Sequence, residues 1–255
     1  MAAPAPSRIL AAEGAPRGGL IALCITQTTA WGVLYYALPT AVQPISADTG
    51  WDPALITGAF SLGLLVSAVA GIAVGRTLDR TGPRTLMIAG SLTGTLAFIL
   101  VALSPSLPLF AAAWLLAGTA QAAILYQPAF TTISRWYGQA RVRPLTTLTL
   151  VAGFASTIFA PLTSTLSTAV GWRSAFIILA LLMALITIPL HARYLNRTWS
   201  KATPGEKSEA DPKEAVRKIR RSPEFLRLQA LMVLLCLGLY TVTLNIIPLL
   251  TEKGS

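Results

Sequence analysis

Long runs of apolar residues, separated by short polar breaks, follow one another along almost the whole chain. A helix needs about 20 predominantly apolar residues to cross the hydrocarbon core of a bilayer. Seven runs of that size occur, and their interiors carry no Asp, Glu, Lys or Arg. The runs are 18–40, 53–74, 85–103, 108–130, 144–170, 172–190 and 226–250. This pattern predicts an all-α, polytopic membrane protein with seven transmembrane helices. Asp52 is expected to cap the second helix, with Pro53 at its first position.

Composition excludes a water-soluble globule. Of the 255 residues, 54% are hydrophobic and 12% are charged, whereas a soluble domain has about a quarter of its residues charged. The net charge of +10 would in a soluble protein suggest nucleic acid, but the basic residues lie in the breaks between apolar runs. We therefore expect a lipid bilayer as partner and no nucleic acid. The two cysteines lie inside apolar runs and indicate neither a disulfide framework nor a metal site.

The basic residues are distributed unevenly between the two sides that alternate breaks define. The N-terminal tail and the breaks 76–84, 135–143 and 193–227 together hold 18 Lys and Arg residues, and the other breaks hold 2. Because cytoplasmic loops carry an excess of Lys and Arg, the N-terminus is predicted inside and the C-terminus outside a cytoplasmic (inner) membrane. The first run is too long for a signal peptide.

One long polar stretch divides the chain. We expect a cytoplasmic tail over 1–17, a six-helix bundle over 18–192, a cytoplasmic central loop over 193–225 and a seventh helix over 226–255. The central loop mixes both signs of charge, which is typical of a solvated loop. A basic helix lying on the anionic leaflet over 213–221 is the alternative.

The seventh run is a weak copy of the first. A shift of 209 residues superposes Pro39 on Pro248 and Tyr36 on Asn245. Transporters are commonly built from duplicated bundles. The seventh helix is therefore expected to begin a second, truncated bundle.

The most specific pattern lies in the break between the second and third runs. A glycine is followed four residues later by an acid and a base, and then by a further glycine and base, which are Gly75, Asp79, Arg80, Gly82 and Arg84. This pattern resembles the signature loop of the major facilitator superfamily of transporters. The resemblance covers about residues 20–253 and implies an MFS-type six-helix bundle plus one additional transmembrane helix, an incomplete twelve-helix fold. Short elements such as 171–173 are similar to loops of the monocarboxylate-transporter-like branch.

In that family this loop braces two bundles while the cytoplasmic side is closed, which implies a gating role for Asp79 and Arg80. Gly75 and Gly82 supply the backbone freedom that a tight reversal needs. Asp79 is expected to stay ionised among the three arginines of the loop. The alternative is a short basic loop that only sets orientation.

Neutral polar residues within the runs are the candidate substrate contacts, because no run carries a carboxylate in its interior. In the resembled family the first, fourth and seventh helices line a central cavity. The resemblance implies a lining of Gln27, Trp31, Tyr35, Gln121 and Asn245, with Tyr36 as a weaker candidate. The alternative is that such side chains only bond across helices, each contributing about 0.6 kcal/mol.

The resemblance implies a secondary active transporter that moves a small organic solute by alternating access, with a monocarboxylate as the class that the loops suggest. We expect no enzymatic activity, no cofactor and no metal, and the only histidine, His191, is expected to face a loop. Because one bundle cannot alternate alone, a missing C-terminal half or a homodimer is expected to complete a truncated or partial chain. A seven-helix receptor or sensor and a non-transporting scaffold are the alternatives.

Overall fold

The computed structural model of the chain describes residues 15–196, Trp199 and residues 222–235. The described residues are nearly all helical and include no strand, which confirms the all-α class. The chain divides into two compact units, Met1–Lys201 and Ala202–Ser255. In the second unit residues 223–235 are helical. The rest of the expected seventh helix, including Asn245, lies outside the described residues.

Within residues 15–196 the chain forms four apolar helical stretches that are long enough to cross a membrane: Gly19–Thr49, Pro53–Leu103, Leu107–Ala140 and Val142–Tyr194. A π-helical turn, Gly32–Tyr36, interrupts the first stretch. The α-helices of this unit are α1 (Gly19–Trp31), α2 (Ala37–Thr49), α3 (Pro53–Leu103), α4 (Leu107–Ile124), α5 (Tyr126–Tyr137), α6 (Val142–Gly153), α7 (Ala155–Val170) and α8 (Trp172–Tyr194).

α3 contains two membrane crossings. Its 51 residues would extend about 75 Å if straight, against a hydrocarbon core of about 30 Å. Gly82 interrupts it with φ 79° and ψ 172°, a conformation that is essentially restricted to glycine. Pro83 follows, with a φ suited to a helical start. The expected loop over 75–84 is therefore wrong in extent, because all of its residues except Gly82 are helical.

The chain reverses direction at Gly82. Residues 53–81 run parallel to α4 and α5, because successive residues meet later residues of those helices. Residues 83–103 run antiparallel to α4. The contacts are Gly63 with Trp114, Gly71 with Gln127, Gly90 with Ile124 and Gly94 with Ala120. The second and third predicted spans are thus separate crossings.

A second reversal lies between α7 and α8. Gly171 has φ 78° and ψ 154°, and the two helices on either side of it pack against each other. Residues 15–196 therefore contain six crossings, as the sequence predicts. Asp52 caps α3 as expected, with its Oδ1 accepting a hydrogen bond from the backbone N–H of Ala54 at 2.7 Å.

The alternating direction of the helices collects the charged residues at two ends of the bundle. One end, which we call the basic end, includes the reversal at Gly82 and the C-terminal end of α8. Among the described residues it carries Arg17, Arg76, Arg80, Arg84, Arg135, Arg141, Arg143 and Arg193. The opposite end carries Arg173 together with Asp48 and Asp52. At this opposite end the Trp172 indole N–H donates to Asp48 at 2.9 Å.

Candidate functional site

A pocket of about 260 Å³ opens between the first crossing, residues 53–81 and the junction of α4 with α5. We call it the aromatic pocket. Its ring-bearing and polar lining residues are Trp31, Tyr35, Ser67, Gln121, Tyr126 and Gln127. Among the described residues that line it, none is Asp, Glu, Lys, Arg or His.

The helices on two sides of the pocket are both irregular at that level. On one side the π-helical turn Gly32–Tyr36 widens the helix, a feature that is frequent at functional sites. On the other side the helix breaks at Leu125, with φ −78° and ψ −159°. Pro128 has no N–H to donate to the carbonyl of Ile124, four residues earlier. The irregular turns leave carbonyl groups that other helices can bond.

Two glutamine amides bond those carbonyls reciprocally. Gln121 of α4 donates from Nε2 to the carbonyl of Leu34 at 2.8 Å. Gln27 of α1 donates from Nε2 to the carbonyl of Ile124. The two side chains are buried, at 1% and 0% exposure. Gln27 lies outside the pocket lining, and its amide bonds across helices, which is the alternative to a substrate contact.

Two polar atoms of the pocket residues are buried without a hydrogen-bond partner among the described residues. They are Oε1 of Gln121 and the indole Nε1 of Trp31. One is an acceptor and the other is a donor. An unsatisfied buried polar atom costs free energy, and both of these atoms belong to side chains that line the pocket.

Aromatic rings form the rest of the site. The ring centroids of Trp31 and Tyr126 are 4.8 Å apart, and those of Trp31 and Tyr35 are 5.2 Å apart. Tyr126 stacks on Phe130 at 4.9 Å. Tyr36 contacts the ring of Tyr35 at 5.2 Å but does not line the pocket.

Sequence reasoning missed Tyr126 and Gln127. The signal that could have found them is the proline two residues after Tyr126, inside an apolar run. Proline in a helix interior removes a hydrogen bond and breaks or kinks the helix. Such breaks within a membrane span are typical of binding sites in transporters.

At the basic end, Asp79 forms an ion pair with Arg135 of α5. The sequence predicted that Asp79 would be held among the arginines of its own loop. That expectation missed the partner, because helical residues 75–81 carry Asp79 alongside α5, whose last turn contains Arg135. The two side chains are 56% and 29% exposed.

Trp199, near the start of the central loop, contacts this ion pair. The Arg135 guanidinium lies over the Trp199 ring, 4.5 Å from its centroid. Trp199 also packs on Gly82, where a Cβ would come within 3.0 Å of the indole. Arg84 donates to the Asn196 side chain at 3.0 Å.

Gly75 and Arg80, the two remaining residues of the predicted gate, lie at exposed positions. Gly75 has no neighbour within 4 Å of its Cβ position, and Arg80 is exposed.

His191 does not face a loop, and that expectation is wrong. Its side chain is 1% exposed, because α8 packs against α3 and directs it inward. Its Nδ1 lies 3.1 Å from Oγ of Ser91. The Ser91 hydroxyl in turn donates to the carbonyl of Met87 at 2.8 Å.

The sequence model of the Major Facilitator Superfamily matches residues 22–254. The chain therefore belongs to the major facilitator superfamily, a class of membrane transporters. It is a multi-pass integral membrane protein, in agreement with its long apolar helices. None of the curated proteins compared with the chain matches it.

Proposed function

We propose that the chain works in a secondary active transporter that moves a small organic solute by alternating access, and that the aromatic pocket holds the solute. The observation that carries this proposal is the coincidence of the pocket with two helix irregularities at the same level, the π-helical turn and the break at Leu125. Interrupted helices form substrate sites in several transporter folds.

A monocarboxylate is the proposed solute class, on the resemblance of short loops to the monocarboxylate-transporter-like branch. A buried carboxylate needs a compensating partner, and none of the described lining residues is cationic. We expect that partner in the second bundle. Asn245, which pairs with Tyr36 in the internal repeat, remains a proposed cavity residue.

The second bundle is a requirement of the proposed mechanism. Alternating access rocks two bundles about a central site, and residues 15–196 form one. A further length of chain, a partner chain or a second copy would supply the other. The intact mass of the native protein without cross-linking, compared with the 26.9 kDa of this chain, distinguishes a longer chain from a separate one. Where the mass matches this chain, cross-linking followed by identification of the linked peptides distinguishes a partner chain from a second copy.

The basic end is proposed to face the cytoplasm, and Asp79 and Arg80 are proposed to favour the closed-inside state. The support is the excess of Arg at that end and the ion pair that links residues 53–81 to α5. The N-terminus would then be inside and the C-terminus outside.

Solute counterflow in proteoliposomes tests the transport role. Proteoliposomes that contain the native assembly are loaded with unlabelled lactate, pyruvate or benzoate, and entry of the same acid in labelled form is followed. Entry that exceeds the protein-free control is expected for at least one acid. No entry of any acid, by an assembly that remains folded, would contradict the monocarboxylate assignment.

A further inference from the structure

Building on the transport role, we propose that the aromatic pocket selects solutes that carry a planar ring with a hydroxyl or amide group on it. This bundle would hold the ring end of the solute. Any charge on the other end would lie outside the pocket.

The aromatic rings determine the shape of the pocket. The rings of Trp31 and Tyr126 are inclined at 45° with centroids 4.8 Å apart. Each has another ring beside it: Tyr126 stacks on Phe130, and Trp31 contacts Tyr35 edge to face. The aromatic surfaces are therefore held in place before a solute arrives, and aromatic rings favour stacked or edge-to-face contact with another ring.

The volume of the pocket limits the size of the solute. Sites for drug-sized molecules have volumes of about 300–1,000 Å³. At about 260 Å³, the aromatic pocket lies just below that range. It suits one ring with a short substituent.

Two pocket residues have polar atoms that could hydrogen-bond a solute. The buried atoms without partners are an acceptor, Oε1 of Gln121, and a donor, Nε1 of Trp31. The Gln121 amide cannot simply turn over, because its Nε2 already bonds the carbonyl of Leu34. Because both atoms are buried, a solute hydroxyl or amide would bond them after the surrounding side chains move aside on binding. An ammonium could not use the Trp31 donor, and a carboxylate could not use the Gln121 acceptor.

Three probes separate the ring from the charge. They are 4-hydroxybenzoate, its saturated analogue 4-hydroxycyclohexanecarboxylate, and 4-hydroxybenzamide. Equilibrium binding to the native assembly in detergent is measured in two ways. One is competition with labelled 4-hydroxybenzoate, and the other is direct titration of each probe. The two acids share charge and hydroxyl and differ in the flatness of the ring.

The expected result is that 4-hydroxybenzoate binds at least about tenfold more tightly than the saturated acid, in line with the contribution of one or two aromatic contacts. Tyr126→Leu should abolish that preference, and Tyr126→Phe should keep it. Phe154→Leu, which removes an exposed ring outside the pocket lining, should also keep it. Helicity and elution volume show that each variant is folded.

Three outcomes would overturn the proposal: equal binding of the two acids, an unchanged preference in folded Tyr126→Leu, or no binding of any of the three probes. If 4-hydroxybenzamide binds and neither acid does, the result would support selection for a planar ring and contradict the assignment of a monocarboxylate as solute. Counterflow of lactate with no binding of ring compounds would contradict the ring while the transport role stands.

Discussion

The side-chain amide of Gln121 donates to the backbone carbonyl of Leu34 at 2.8 Å, across the interface between α4 and the π-helical turn of the first crossing. The bond fixes one wall of the aromatic pocket against the other. It also leaves Oε1 of Gln121 without a partner among the described residues. A single side chain thus links helix packing to the binding site.

Gln121→Ala should destabilise the bundle, because it leaves a buried carbonyl without its donor. The expected loss in the free energy of unfolding is about 1 kcal/mol. This value lies between about 0.6 kcal/mol, the average for side-chain hydrogen bonds between transmembrane helices, and the larger cost of a fully buried group left without its partner. Thermal unfolding in detergent measures it. Gln43→Ala, at an exposed position, is the control and should be neutral. Equal midpoints for the two variants would contradict the role of the bond.

Gly118→Ala should destabilise more strongly. A Cβ at Gly118 would overlap the carbonyl oxygen of Gly63 on α3, and overpacking of this kind typically costs about 1–3 kcal/mol. Gly58→Ala is the matched control, because no atom lies within 4 Å of its Cβ position. The same unfolding assay should show no loss for Gly58→Ala, and an undisturbed midpoint in Gly118→Ala would rule out the close approach.

Asp79→Asn should leave insertion and folding intact and should reduce transport in the native assembly. Exposed ion pairs contribute less than about 1 kcal/mol to stability, so the expected effect is on the gate and not on the fold. Arg135→Gln should behave in the same way, and the exchange Asp79→Arg with Arg135→Asp should restore part of the uptake.

Arg76→Gln is the control for this pair, since Arg76 is exposed at the same end and its charge lies outside the pair. Its uptake should stay close to that of the unchanged protein. Full uptake in Asp79→Asn would contradict the proposed gating role of Asp79.

The proposed orientation predicts where an impermeant thiol reagent reacts. In a chain whose native cysteines are replaced, Arg141→Cys should be labelled only from the cytoplasmic side and Pro105→Cys only from the outside. Both positions are exposed, and they lie at opposite ends of the bundle. The reverse pattern would show that the basic end faces outward, against the expectation from its charge.

The sequence by itself determined the class of protein and its six described crossings. Apolar length, the absence of charge from the runs, and the Asp52–Pro53 start are local properties, and each is visible along the chain. The ends were less predictable. The first helical stretch continues to Thr49, past the predicted end at 40, because the more polar residues 41–49 remain helical.

The candidate site depended on the tertiary structure. Trp31, Tyr35 and Gln121 could be selected from the sequence because their polar or aromatic side chains lie in apolar runs. Their meeting with Tyr126 depended on the broken α4–α5 helix and on how it packs against the π-helical turn. The sequence alone did not indicate which glutamine would line the pocket and which would only join helices.

Only the fold decided the partner of Asp79 and the environment of His191. Three arginines lie nearer to Asp79 in sequence than Arg135 does, but residues 53–81 run parallel to α5 and bring the more distant residue into contact. Packing of α8 on α3 likewise buries a histidine that the sequence places at the end of a span. The length of an apolar run depends only on consecutive residues. Contacts between helices depend on the direction and rotation of each helix, which are set only when the helices pack.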